Sequence, residues 1–435
     1  MKRAIVLAGG GGKGAYQMGV WKALRRLHIK YDIVTGTSIG SVNGAYMVTK
    51  EYYKALNMWK NIDFNEVFDK KIDNNLDLKK RTLEVKKIYV KTILLEDGMN
   101  IEKLENVLRD NLNEDKIRKS KIDYGLITVN YTKLKSLELT KQKIKEGQLL
   151  DFIMASCTCF PFFKKRKIDK YEYIDGGYHD NLPINLAIDM GATDIIAIDL
   201  KAIGINKKVK KSGVNIRYIS PNNDLHSILD FEKSLSIRAI NLGYNDAMKS
   251  FGYLEGGLFT FKLNDLDKNY KRYKIEYIKN VNRLFVKLDD STILNKILLN
   301  KTSNSLFKNK ESLEIKNIFN DIVEYLGYIF DLKDDELYRI NKYNKLLKLK
   351  FRKELNSNKS VISNILEFIV NNKKDNIDRI VYIYNKVNKY YKTTDDIKEL
   401  AIIATTLTKD FTAALYLYTI INNRWFNSKV WYNYF

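Results

Sequence analysis

Three short motifs in the first half of the chain carry residue types suited to moving an acyl group. The first is Gly9-Gly10-Gly11-Gly12-Lys13-Gly14, which directly follows an apolar run at residues 4–8. Glycine lets the backbone approach a ligand closely, and amide N–H groups at the start of a helix stabilise negative charge. Such a loop can cradle a phosphate or form an oxyanion hole. Gly9, Gly11 and Gly14 also fit the spacing of a dinucleotide fingerprint, which requires an acidic residue at the end of the next strand. Asp32 instead precedes that strand, and Lys13 is followed by Gly14 and Ala15 where a P-loop needs Ser or Thr. Alone, the loop leaves nucleotide and oxyanion binding open.

The second motif, Gly36-Thr37-Ser38-Ile39-Gly40, lies between a strand-like run at 33–35 and a helical run at 41–49. G-x-S-x-G at a strand–turn–helix junction is the pattern of a nucleophile elbow, with Ser38 exposed on a sharp turn and Gly36 and Gly40 relieving the crowding around it. The third, Asp175-Gly176-Gly177, ends a strand-like run at 171–174. A serine hydroxyl needs a base to take its proton. The chain has three histidines, His28, His179 and His226. His28 sits at a helix end, where a cation suits the dipole, and His226 lies in a polar loop. His179 is four residues past Asp175, so both Asp175 and His179 remain candidates from the residues alone.

The elements that position these motifs alternate. Strand-like runs at 4–8, 33–35, 125–129, 137–139, 171–174 and 194–199 are separated by helical patterns at 15–27, 41–49, 101–112 and 184–190. Alternation of this kind predicts a parallel α/β sheet. All three prolines, Pro161, Pro183 and Pro221, lie in the first half, and beyond Gly257 the only glycine is Gly327. The spacing of Leu337, Ile340, Leu346, Leu347 and Leu349 and a helix start at Thr393, Asp395 and Asp396 predict a helical second half. The expected division is a domain over residues 1–262 followed by a helical accessory domain over 263–435.

With 435 residues and a 45% hydrophobic fraction, the chain can bury a substantial core. Its net charge of +23 suits an anionic surface, but the Lys, Asn, Ile and Tyr content is also what an A/T-rich genome would write. No single-sign block marks a nucleic-acid tail, and no nucleic-acid partner is expected. Cys157 and Cys159 are one residue apart with no third cysteine, a poor basis for a disulfide or a zinc site, so no metal is expected. The basic start stops at the glycines before a signal-peptide core can form. The apolar stretch at 412–421 is well short of the roughly 20 residues that span a bilayer. The expectation is a cytoplasmic protein, peripheral at a membrane when it meets lipid. The segment from Lys79 to Leu95 mixes basic and apolar residues, as an interfacial helix or an ordinary packed helix would.

Taken together the motifs resemble the patatin-like phospholipase family. Leu7-Ala8 with the glycine run resembles its oxyanion loop, Gly36–Gly40 its elbow, and Asp175-Gly176-Gly177 its D-G-G/A motif. Ala155-Ser156-Cys157 through Pro161-Phe162-Phe163 and Asn181-Leu182-Pro183 resemble the stretches on either side of that aspartate. Ala8 and Cys157 stand where related sequences often have serine. The resemblance covers about residues 1–200 and leaves the helical half uncovered. It implies a patatin-like α/β hydrolase fold and a Ser38–Asp175 dyad without histidine. It also implies calcium-independent cleavage of glycerolipid acyl esters with no cofactor. The amides of Gly10, Gly11 and Gly12 would then hold the oxyanion, with Lys13 ordering the loop or attracting a head group. A soluble ester or thioester substrate is the alternative within the enzyme class. A non-catalytic basic binding module is the alternative outside it.

Overall fold

The computed structural model describes residues 2–73, 75–96, 98–210, 212–288, 312–357, 376–393 and 397–422. The chain divides into two compact units, Met1–Phe251 and Gly252–Phe435.

In the first unit, the run after the basic start becomes β1 (Arg3–Leu7), whose residues Ala4 to Leu7 are fully buried. A strand covered on both faces reads as a continuous apolar run, which is why its sequence does not alternate. β1 pairs in parallel with β2 (Ile33–Thr37) on one side and β7 (Asp194–Ile198) on the other. β2 pairs in parallel with β3 (Asp123–Asn130), and β7 with β8 (Asn215–Ile219). Crossover helices cover the faces, among them α1 (Ala15–Arg26) and α2 (Ile39–Thr49).

The expected parallel sheet forms through β3, β2, β1, β7 and β8, and beyond β3 it continues with antiparallel strands. β3 is joined to β4 (Lys135–Thr140) through residues 131–134 only, too short for a parallel crossover, and the two form an antiparallel hairpin. β5 (Arg166–Ile168) and β6 (Tyr171–Asp175) turn back through Asp169, which has φ 51°. β6 then pairs antiparallel with β3 at Thr128 to Asn130, on the edge that β2 occupies from Asp123 to Ile127. β6 therefore takes up the edge of β3 where β2 leaves off.

The segment from Lys79 to Leu95 is the helix Leu78–Leu95. Arg81, Val85, Tyr89 and Thr92 form its buried stripe, while Leu83, Val90, Leu94 and Leu95 are exposed. Tyr89 packs against Phe68, Phe162 and Phe163.

The second unit is mainly helical, with helices Asp265–Leu288, Ser312–Ile329, Ile340–Asn356, Asn376–Thr393, Ile397–Thr406 and Thr408–Asn422. It also contains a small sheet that the periodicity does not announce. Thr260–Lys262 pairs antiparallel with Leu254–Glu255 and in parallel with Leu337–Tyr338. The expected boundary after residue 262 lies inside that sheet, and Leu337 is a strand residue rather than part of the helix starting at Ile340. The apolar stretch 412–421 belongs to the helix Thr408–Asn422, nearly all of it buried in this unit's core. Tyr416, Asn269 and Asn344 satisfy one another inside that core through hydrogen bonds of 2.9–3.0 Å. Asp395 and Asp396 lie outside the described residues, and the helix after them begins at Ile397. Among the described residues, no helix is long and apolar enough to cross a membrane.

Candidate active site

Ser38 occupies the single-residue corner between β2 and α2, at φ 54° and ψ −131°. This is a conformation that side-chain-bearing residues avoid, and its strain is a property of nucleophile elbows. The corner is held from below. The Ser38 amide donates to Ser156 Oγ at 2.9 Å, and Ser156 Oγ donates to the Ile127 carbonyl at 2.7 Å. The first turn of α2 lies so close to β1 that a Cβ on Gly40 would fall 2.4 Å from the Leu7 carbonyl oxygen.

The register of β3 brings the aspartate to the serine. Ile127 pairs with Thr37, the last residue of β2, and the next residue, Thr128, pairs with Asp175, the last residue of β6. Two strands arriving along one edge of β3 from opposite directions thus place Ser38 and Asp175 side by side. Asp175 is only 4% exposed. The Gly177 amide donates to its Oδ1 at 2.7 Å, and the Ser38 side chain beside it favours its charged form. Burial raises its pKa from 3.8 to about 6, partly offset by Ser38 and by the Gly177 amide. A carboxylate that holds a proton almost up to neutrality is suited to taking one from a hydroxyl.

The residues after Asp175 tie the other motifs together. Asp180 and Pro183 accept hydrogen bonds through their carbonyls from Thr37 Oγ1 (2.8 Å) and Thr35 Oγ1 (3.0 Å). The Asn181 carbonyl accepts from the Gly9 amide at 3.1 Å, while its side-chain Nδ2 donates to the Gly9 carbonyl at 3.4 Å. Gly9 is pressed so near that a Cβ there would sit 2.4 Å from Asn181 Oδ1 and 2.9 Å from Ser38 Cβ. Asn181 and Ser156 position the site, a role that their residue types do not announce. Both lie in stretches flanking the aspartate, which is the signal that could have singled them out.

One candidate oxyanion donor is corrected. The Gly12 amide donates to the Ile228 carbonyl at 2.8 Å, so its N–H is already engaged. Gly10 and Gly11 line a cavity together with Ser38 and Asp175. Gly14 is buried at the end of the short 3-10 turn Gly11–Gly14 that leads into α1. Lys13 is half-buried in that turn, and among the described residues its side chain makes no ion pair or hydrogen bond. Gly36 lies within β2, and Gly176 and Gly177 form the turn that presents the Asp175 carboxylate. Asp32 is bonded through Oδ2 to the Arg3 amide at 2.9 Å, far in sequence and role from a ribose-holding acid.

The cavity has a volume of about 560 Å³, and most of its wall is apolar, including Ile39, Val67, Phe68, Leu104, Phe162, Phe163, Leu229 and Phe231. His179 does not pair with Ser38. Its Nε2 contacts Lys207 Nζ and lies 3.4 Å from Glu138 Oε1, and burial together with the Lys207 charge lowers its pKa. His28 and His226 both sit at positive φ, His28 in the turn that ends α1 and His226 in an irregular loop. Cys157 and Cys159 are free thiols at the cavity wall, and burial raises the pKa of both, that of Cys159 to about 12.

Residues 5–188 match the model of the family described as patatin-like phospholipase. Residues 5–188 thus resemble a patatin-like phospholipase domain. The rat patatin-like phospholipase domain-containing protein 7 is 30% identical over 199 residues, which is 45% of this chain and 13% of that protein. A bacterial relative, the cUMP-AMP-activated phospholipase of Escherichia coli, is 24% identical over 209 residues, 43% of this chain and 58% of the relative. The chain thus spans a small part of the first of these and just over half of the second. The crystal structure of VipD from Legionella pneumophila aligns over 97% of this chain and 91% of that one at 13% identity and a TM-score of 0.38, a loose likeness. The glycine loop, elbow and aspartate turn all fall within the matched residues.

Proposed function

We propose that the protein is a calcium-independent acyl hydrolase of glycerolipids in which Ser38 is the nucleophile and Asp175 its general base. The observation that carries this reading is the placement of a buried Asp175 beside Ser38, both lining one apolar cavity, with the Asp175 pKa raised by its burial. Asp175 takes the Ser38 proton as Oγ bonds to the acyl carbon, and the carbonyl oxygen gains the charge. The amides of Gly10 and Gly11 are the donors proposed to receive that charge, at the amino end of α1. Removing one such donor costs about 10²–10³ in rate. As the carbon–oxygen bond to the leaving alcohol breaks, Asp175 returns the proton to it. Water then repeats the sequence on the acyl-enzyme: Asp175 accepts its proton, and Ser38 leaves with that proton restored. The cavity, with its mostly apolar wall, takes the acyl chain. The first unit would be the catalytic domain and the second an accessory domain.

Two measurements test the choice of base. The rate kcat/KM on a soluble short-chain ester is expected to rise about tenfold per pH unit up to a break near pH 6, where Asp175 loses its proton. His179→Ala is expected to keep that profile and to stay within about fivefold of the parent rate, because its ring faces Glu138 and Lys207. A loss of about 10³-fold or more in His179→Ala would transfer the role of base to histidine. Retention of full activity in EDTA checks the independence from calcium.

A further inference from the structure

The loop at residues 201–210 follows β7 and combines features that the hydrolytic chemistry does not use. Ile203 is 94% exposed and Ile205 56% exposed, although both also line the cavity beside Ser38. Scattered exposed apolar side chains are ordinary on a protein surface. These two are held outward by a fixed scaffold.

The Ile205 amide donates to the Gly177 carbonyl at 3.0 Å, and the Ile205 carbonyl accepts from the Asn181 amide at 2.6 Å. Asn185 holds the far end of the loop, accepting from the Lys210 amide at 2.9 Å and donating to the Lys208 carbonyl at 3.0 Å. Gly204 lies against Asn181, where a Cβ would come within 2.7 Å of its side chain. The loop is thus stapled to the turn that carries Asp175, with its isoleucines at the cavity mouth.

Charge supplies the second feature. Lys201 on one side and Lys207, Lys208 and Lys210 on the other flank the isoleucines, and no Asp or Glu occurs between 200 and 223. Lys207 is paired with Glu138, whereas among the described residues Lys208 and Lys210 form no ion pair. Topology supplies the third. β3 and β7 flank β2 and β1 in the sheet, so the turn at 131–134 and the loop at 201–210 leave the same strand ends from which Ser38 and the glycine loop emerge. The tip of that turn is Leu134, 84% exposed between Lys133 and Lys135.

Resting on the lipid-hydrolase reading above, we infer that the 201–210 loop is an interfacial anchor. It inserts Ile203 and Ile205 into an anionic bilayer and seats the cavity mouth on the membrane. Apolar side chains that reach the acyl region, flanked by cations at head-group level, are what binding to an anionic interface requires. A protein partner would call for a closed apolar patch with little free charge. Here every apolar residue of the loop has a lysine within two positions. Lipid entering between Ile203 and Ile205 passes directly from the bilayer to Ser38.

Flotation tests this with the full chain carrying Ser38→Ala, so that vesicles stay intact. The probes are vesicles of phosphatidylcholine alone and phosphatidylcholine with about 30% phosphatidylglycerol, chosen to lie in the range of anionic cell membranes. The parent is expected to float with the anionic vesicles. Ile203→Asp and Ile205→Asp should each weaken binding about tenfold. Lys208→Glu with Lys210→Glu should remove the preference for phosphatidylglycerol. Leu94→Asp, on the exposed side of the helix Leu78–Leu95, should bind like the parent. An environment-sensitive fluorophore on Ile203→Cys should shift to the blue on anionic vesicles, which tests insertion without relying on a disruptive substitution.

Undiminished binding of the Ile203 and Ile205 variants overturns the inference, as does loss of binding in Leu94→Asp alone. So does an unshifted fluorophore on bound protein, or a dimer in solution that the isoleucine substitutions break. Hydrolysis of a soluble ester by the protein with Ser38 intact is measured alongside. Its absence would sink the hydrolase reading, while the flotation result would still decide the fate of the loop.

Discussion

Asp175→Asn is expected to lower hydrolysis of a short-chain ester by at least about 10⁴-fold and, at neutral pH, to make the protein more stable. The rate falls because an amide cannot take the Ser38 proton. The stability rises because the native fold buries the carboxylate, 4% exposed, and lifts its pKa from 3.8 to about 6. Between those two values the native state holds a proton that the unfolded chain has released. Stability therefore falls as pH rises through that window, and above about pH 6 the full cost persists, on the order of 3 kcal/mol. Asparagine has nearly the same shape, keeps an oxygen for the Gly177 amide and carries no charge to bury. Thermal unfolding should show a midpoint several degrees above the parent at pH 7.5 and no gain at pH 3.5. An inactive variant with an unchanged midpoint at pH 7.5 would mean that the aspartate is not strained by burial. Parent-like activity would remove it from the mechanism.

Gly40→Ala should do the opposite, costing the fold first. A Cβ there would stand 2.4 Å from the Leu7 carbonyl oxygen and 2.7 Å from that of Ala8. These are backbone atoms of the central strand and its extension, which pairs on both sides with β2 and β7. Neither can turn aside as a flexible side chain would, so α2 must lift away from the sheet, carrying the Ser38 corner with it. Overpacking of this kind costs about 3 kcal/mol, and the midpoint of the first unit should drop by roughly 6–12 °C. Below that midpoint, activity should still fall at least about tenfold, because a displaced corner separates Ser38 from Asp175. A folded variant with parent-like rates would show that the elbow tolerates a looser seat.

The local motifs were legible because each is constrained by its immediate neighbours. Gly36 and Gly40 bracket Ser38 for a steric reason that acts within five residues, and the run Ala4–Leu7 is apolar because a central strand is covered on both faces. What the sequence concealed depends on pairing between distant segments. Nothing near Asp175 indicates that β6 runs antiparallel and continues the edge that β2 vacates at Ile127, yet that register is what brings the carboxylate to the serine. The loss of Gly12 as a free donor likewise depends on Ile228, more than two hundred residues away in the chain. His179 looked equal to Asp175 by spacing. Only the position of Lys207 and Glu138 draws its ring elsewhere. In the second unit, Leu337 matched a helical period with Ile340, but Leu337–Tyr338 pairs with Thr260–Lys262 and becomes a strand. Short pairings with a partner tens of residues off leave no periodic trace.

The most direct test of the central assignment is release of fatty acid from mixed phospholipid vesicles in EDTA, comparing the parent protein with Ser38→Ala. The account predicts steady release by the parent and none above background by the variant. Equal release by both, or none from the parent, would contradict a Ser38-dependent, calcium-independent lipid hydrolase.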